Sequence, residues 1–91
     1  MKYRVEWSAP AEQVVETHLF LALETGRSTH PLKSAVRRMN ELLAREPLTA
    51  GESRDGERIV FVEPLWVVYE PFESERVALI YWAKVRLPNS S

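Results

Sequence analysis

Three apolar runs decide how this chain folds: ERIVFVE (57–63), LWVVYE (65–70) and RVALIYWAKVR (76–86). A strand with one solvated face alternates apolar with polar residues, whereas these runs are apolar at nearly every position, as strands covered on both faces are. Turn signals separate them: Pro64 between the first two and PFESE (71–75) before the third. Proline inside a sheet removes a ladder donor, so Pro64 and Pro71 are expected at strand ends. The runs therefore read as a three-stranded meander hidden on both faces. The chain's own helices can cover one face, and the functional question is what the other face is for.

Upstream, KYRVEW (2–7) alternates strictly, with Tyr3, Val5 and Trp7 on one face, and reads as a half-buried first strand. Ser8 can cap a following helix, Pro10 is tolerated in its first turn, and Glu12 suits the positive end of the dipole. Ala11, Val15, Leu19, Ala22 and Leu23 recur at helical spacing, widened by Val14 and Leu21, which predicts a helix from Ala9 to Glu24 ended by Gly26. Leu32, Ala35, Val36, Met39, Leu42 and Leu43 predict a second amphipathic helix that starts near Pro31 and ends near Arg45, ahead of Pro47. PLTAGESRDG (47–56) shows no periodicity and reads as a surface loop, and the closing LPNSS as a polar tail. The element order is strand, helix, helix, strand, strand, strand, an α+β domain spanning 1–91.

Composition narrows the partners. The 91 residues are 45% hydrophobic and 27% charged with a formal net charge of -1, so no global basic field draws the chain to nucleic acid or to an acidic membrane. There is no cysteine, which removes disulfides and thiolate metal sites. His18 and His30 lie on different elements with no ligand spacing, so neither a metal nor a cofactor is expected. MKYRVEWSAP lacks the apolar stretch of a signal peptide, and no run approaches a membrane span, which makes the cytoplasm the expected location.

The order and lengths of these elements resemble the RelE/ParE superfamily of small toxins from toxin-antitoxin systems. The matching stretches are YRVEWSAPAEQ, LLAREPLTAG and the meander with its central VVYE. The resemblance implies two helices packed on one face of a twisted antiparallel sheet, and an antitoxin partner. For activity it implies either ribosome-dependent mRNA cleavage by the concave sheet face, as in RelE-like proteins, or poisoning of DNA gyrase, as in ParE-like ones. Carried over residue by residue, Arg58 matches a basic position that holds the scissile phosphate, and Lys84 and Arg86 match later basic positions. A lysine expected after Arg58 falls on Val60, an expected arginine is Trp66, and no tyrosine or histidine follows Arg86 to act as acid or base.

Strict alternation carried through the meander groups Arg58, Val60 and Val62 with Trp66, Val68 and Glu70 and with Trp82, Lys84 and Arg86. Ile59, Phe61, Leu65, Val67, Tyr69, Val77, Leu79, Tyr81, Ala83 and Val85 fall on the face predicted to meet the helices. On the first face Trp66, Trp82, Val60 and Val68 are the predicted binding residues, with an antitoxin, a second copy of the chain or a larger target as partner. Base stacking, or packing beneath the tail, are the other readings of the two tryptophans. Arg58, Lys84 and Arg86 are the predicted phosphate or carboxylate ligands. Glu63 and Glu70 read as solubilising strand-end charges, with an acid-base pair as the alternative. Arg37, Arg38 and Arg45 read as the solvated side of the second helix.

Overall fold

The computed structural model describes residues 2–86; Met1 and the LPNSS tail (87–91) lie outside the described residues. The elements follow in the order β1 (Arg4–Trp7), α1 (Ala9–Glu24), α2 (His30–Arg45), β2 (Glu52–Arg54), β3 (Glu57–Val62), β4 (Leu65–Phe72) and β5 (Val77–Val85). Both helices have the predicted bounds to within a residue. The Ser8 hydroxyl accepts from the Ala11 amide at 3.2 Å and caps α1. The α+β class, with two helices packed against one sheet, is as the sequence implies.

The sheet itself is larger than the predicted meander. Its order is β1-β5-β4-β3-β2, and β1 runs parallel to β5 with Arg4 opposite Val77 and Trp7 opposite Ile80, so the sheet is mixed rather than antiparallel. Part of the predicted 47–56 loop is strand: Glu52 to Arg54 pair with Glu57 to Ile59 across the two-residue turn Asp55–Gly56. Asp55 and Gly56 both take positive φ (49° and 88°), the pair of conformations that a tight hairpin requires. Pro71 lies inside β4, opposite Ala78, rather than at its end. Pairing with β3 stops at Tyr69, so on that side Pro71 has no neighbouring strand to which a missing N–H would matter.

Two local features reverse part of the predicted face assignment. The connection from β3 to β4 is two residues long, Glu63 and Pro64 (with a cis peptide bond), which sets Val62 directly opposite Leu65. Directly opposed residues share a face, so Arg58, Val60 and Val62 go with Tyr69, Val67 and Leu65 toward the helices, and Ile59 and Phe61 turn outward with Val68 and Trp66. In β5 a bulge inserts Tyr81: Val68 opposes Trp82 while Tyr69 opposes Ile80. Ala78 and Ile80 therefore enter the core, and Leu79 and Tyr81 leave it.

The core lies between the helices and the inner sheet face. Leu32, Ala35, Met39 and Leu43 of α2 and Ala11 and Val15 of α1 meet Val60, Leu65, Val67, Tyr69, Ala78, Ile80, Ala83 and Val85. Val5 and Trp7 of β1 pack at its edge, where the Trp7 indole donates to Asn40 Oδ1 at 2.8 Å. The predicted α1 stripe is wider than the face it buries, since Leu21 and Leu23 are exposed.

Candidate functional site

With both helices on one side, the outer sheet face is open. Glu57 and Ile59 of β3, Trp66 and Val68 of β4, and Tyr81, Trp82 and Lys84 of β5 line a shallow trough of about 780 Å³ that Arg86 closes at one end. The register builds its walls: Trp66 stands between Phe61 and Lys84, and Val68 between Ile59 and Trp82. The Phe61 and Trp66 rings lie 4.5 Å apart at an interplanar angle of 34°, a tilted aromatic pair that fixes the Trp66 indole. Among the described residues Trp82 has no such ring contact, and it is 46% exposed. The Arg86 amide donates to the Pro64 carbonyl at 2.7 Å, which ties the cationic end of the trough to the β3–β4 turn.

Charge is divided along the trough. Lys84 sits opposite Trp66 and, with Arg86, lies toward the Glu63–Pro64 turn; Glu57 and Glu70 lie toward the opposite end, beside Tyr81. The Tyr81 hydroxyl is covered from solvent and meets no hydrogen-bond partner of good geometry. Its pKa is pushed up to about 12, first by burial and then by the Glu57 and Glu70 carboxylates, which disfavour a phenolate. At neutral pH it keeps its proton and serves as a hydrogen-bond donor, not as a base.

Of the residues singled out from the sequence, the trough brings together Trp66, Val68, Trp82, Lys84 and Arg86. It does not include Arg58 or Val60. Val60 is 6% exposed and packs in the core. Arg58 points to the helix side, where Nε donates to the Ala50 carbonyl at 2.8 Å and Nη2 to the Gly51 carbonyl at 3.2 Å. The fully buried Tyr69 hydroxyl donates to Pro47 O at 2.7 Å and contacts Ala50 O at 3.3 Å. Burial raises the Tyr69 pKa, and the nearby Arg58 charge offsets part of that rise. Arg58 and Tyr69 thus hold the 47–51 segment against the sheet from below, on the face opposite the trough.

Tyr81 and Ile59 line the trough and Phe61 backs it through Trp66 on the same face, although alternation placed all three on the helix side. The signal for Ile59 and Phe61 is the short Glu63–Pro64 connection, which dictates direct opposition of its flanking residues; nothing in the sequence marks the bulge at Tyr81. His18 donates from Nδ1 to the Val14 carbonyl at 2.9 Å, a local helix bond. Glu63 is in the turn before β4 and Glu70 near that strand's far end, so the two carboxylates do not converge. No helix among the described residues is long and apolar enough to cross a membrane.

No protein-family model matches the chain, and no curated protein matches it in sequence. Solved structures do match in shape. A chain of the RelBE2 toxin-antitoxin complex from Mycobacterium tuberculosis superposes with a TM-score of 0.71 at 19% identity, over 94% of this chain and 100% of that one. The isolated RelE toxin of E. coli superposes with a TM-score of 0.63 at 8% identity, over 97% of this chain and 88% of that one. The fold is that of the RelE toxins. A chain of the intact E. coli RelBE toxin-antitoxin complex gives the same result, with a TM-score of 0.64 at 10% identity over 96% and 99% of the two chains. On this RelE-like fold the trough occupies the sheet face that the helices leave free, and its lining residues are this chain's own.

Proposed function

We propose that the protein is the toxin-side member of a cytoplasmic toxin-antitoxin pair and that it acts mainly by binding protein through the open sheet face. The observation that carries this reading is the trough's wall of Trp66, Trp82, Val68 and Ile59, apolar and aromatic where a solvated face would be polar. Aromatic anchors of this kind, partly exposed and backed by a rigid sheet, are the usual centres of protein interfaces. The likeness in fold to chains from two toxin-antitoxin complexes supports an antitoxin as the partner. The protein encoded beside this chain's gene is the first partner to test. Mixed with the purified chain, it is expected to bind, and Trp82→Ser and Trp66→Ala are each expected to weaken binding at least about tenfold, as interface anchors do. Binding that survives both substitutions refutes the sheet face as the contact.

A second reading, a ribosome-dependent mRNA endoribonuclease, has one observation in its favour: Lys84, Arg86, Trp66, Trp82 and the Tyr81 hydroxyl share one trough. Cations suit phosphates and tryptophans stack bases. Against it, Arg58 spends its donors on Ala50 and Gly51 and does not reach that face. Gyrase inhibition has no residue of the trough in its favour. Cleavage of mRNA on translating ribosomes that Lys84→Ala and Arg86→Ala abolish would establish the endoribonuclease; intact mRNA under inducing expression removes it.

A further inference from the structure

The outer surface of α1 is the second feature with no partner in the chain. This helix is apolar around most of its circumference, yet only Ala11 and Val15 are buried, and its packing is against β5. Phe20 is 61% exposed, Leu23 70% and Leu21 50%. At about 100° per residue, Phe20 stands nearly opposite the Ala11/Val15 face, with Leu23 and Leu21 on either side of it. A helix this apolar is normally enclosed.

The charges that α1 itself carries are of one sign. Within α1 the only Asp, Glu, Lys or Arg residues are Glu12, Glu16 and Glu24, which fall with Phe20 on one row of four-residue spacing. The next cation, Arg27, lies beyond Gly26 and outside the helix. We propose that this face seats a basic amphipathic helix of a partner protein. Its apolar residues would cover Phe20 and Leu23, and its lysines or arginines would meet Glu12, Glu16 and Glu24.

The same charges argue against other occupants. Two copies of α1 laid together would oppose their carboxylate rows with no cation between them. One copy's α1 against another's α2, which exposes Lys33, Arg37 and Arg38, has complementary charge but is a heterologous contact that gives a ring or a filament, an assembly that sedimentation would detect. An anionic membrane repels the row. The surface lies on the helix side of the sheet, so the proposal stands independently of the trough.

The probe is a fluorescein-labelled synthetic helix with Leu at i, i+3, i+4 and i+7 flanked by Lys, read by anisotropy against the full chain. Its counterparts are the same peptide with Lys→Glu and a shuffled Lys peptide. The Lys helix is expected to bind, more weakly as salt rises, while the other two do not. Phe20→Ser with Leu23→Gln, and separately Glu16→Lys, are expected to reduce its affinity at least about tenfold without changing the melting temperature, since all three side chains are exposed. Trp82→Ser is expected to leave it unchanged. The proposal is overturned if the Lys helix fails to bind, if the shuffled or Glu peptide binds as well, or if the α1 substitutions have no effect. It is equally overturned if sedimentation shows a dimer that Phe20→Ser with Leu23→Gln dissolves, or if the same pair abolishes binding to uncharged lipid vesicles.

Discussion

Replacing Tyr69 by Phe removes one oxygen from a side chain with no solvent exposure, so its cost can be worked from the bonds it makes. The hydroxyl donates to Pro47 O at 2.7 Å, and its 3.3 Å approach to Ala50 O is the weaker branch. Ala50 O keeps the Arg58 Nε bond at 2.8 Å when the hydroxyl is gone, whereas Pro47 O loses its donor. The loss is one neutral hydrogen bond plus one orphaned carbonyl, about 1.5 kcal/mol. For a domain of this size that corresponds to a fall in melting temperature of about 6–12 °C. Arg58→Met keeps the aliphatic stem and removes the donors to Ala50 and Gly51, a change of about 1–2 kcal/mol at a site that water partly reaches. Because both side chains serve the Ala50 carbonyl, the double variant should differ from the sum of the single ones by about 0.5 kcal/mol or more. Thermal unfolding followed by circular dichroism measures all three variants. A Tyr69→Phe protein that melts within about 2 °C of wild type, or strict additivity in the double variant, would refute the account of the 47–51 latch. The same series decides what Arg58 is for. A latch residue changes stability and spares binding at the trough; a phosphate ligand does the reverse.

Gly51 carries φ +66°, and a Cβ there would run into the Ile59 backbone carbonyl, while Gly56, at φ +88°, has open space around it. Gly51→Ala should therefore cost well over the ~1 kcal/mol of an αL alanine, and Gly56→Ala about that much, in denaturant unfolding. Ser8→Ala removes the α1 cap and should cost about 1 kcal/mol in the same measurement, with the Trp82 surface unchanged. Tyr81 and Tyr69 both have folded-state pKa values raised above 10, Tyr81 to about 12. Between pH 10 and 12 the unfolded chain has lost phenolic protons that the folded chain retains, so stability should be whole below pH 10 and fall as pH rises through that window. Tyrosinate absorbance should show Tyr81→Phe deleting a group that titrates near pH 12 and flattening that fall; an unchanged titration would contradict the burial of the hydroxyl.

Most of the fold is written in short-range patterns. The 3.6-residue repeat of Leu32, Ala35, Met39 and Leu43 marks α2, and Ser8 and Gly26 bracket α1. The β2–β3 hairpin was read as loop because Glu52–Arg54 is polar throughout, although Asp55–Gly56 is the dipeptide that a two-residue turn prefers. The parallel β1–β5 pair was not legible, because the pairing of distant strands leaves no mark on local periodicity. Five of the eight residues lining the trough, Trp66, Val68, Trp82, Lys84 and Arg86, were singled out in the sequence, since β4 and the end of β5 keep the expected alternation. Arg58 and Val60 fall on the helix side, and Ile59 and Phe61 on the trough side, for a single reason: one two-residue turn exchanges the faces of an entire strand. A bulge, which adds one residue to one strand, is a tertiary compromise with no signature in Ile80–Tyr81–Trp82.

The pairing of β1 with β5 also dictates when, during synthesis, this protein can exist. Arg4 to Trp7 have no strand to bind until Val77 to Ile80 have been made, and α1 rests on that same β5. A nascent chain on the ribosome can form its helices and the β2–β3–β4 hairpins, but the inner core stays open and the trough lacks the wall that carries Trp82 and Lys84. The trough is therefore completed only with β5, in one step with the closing of the core.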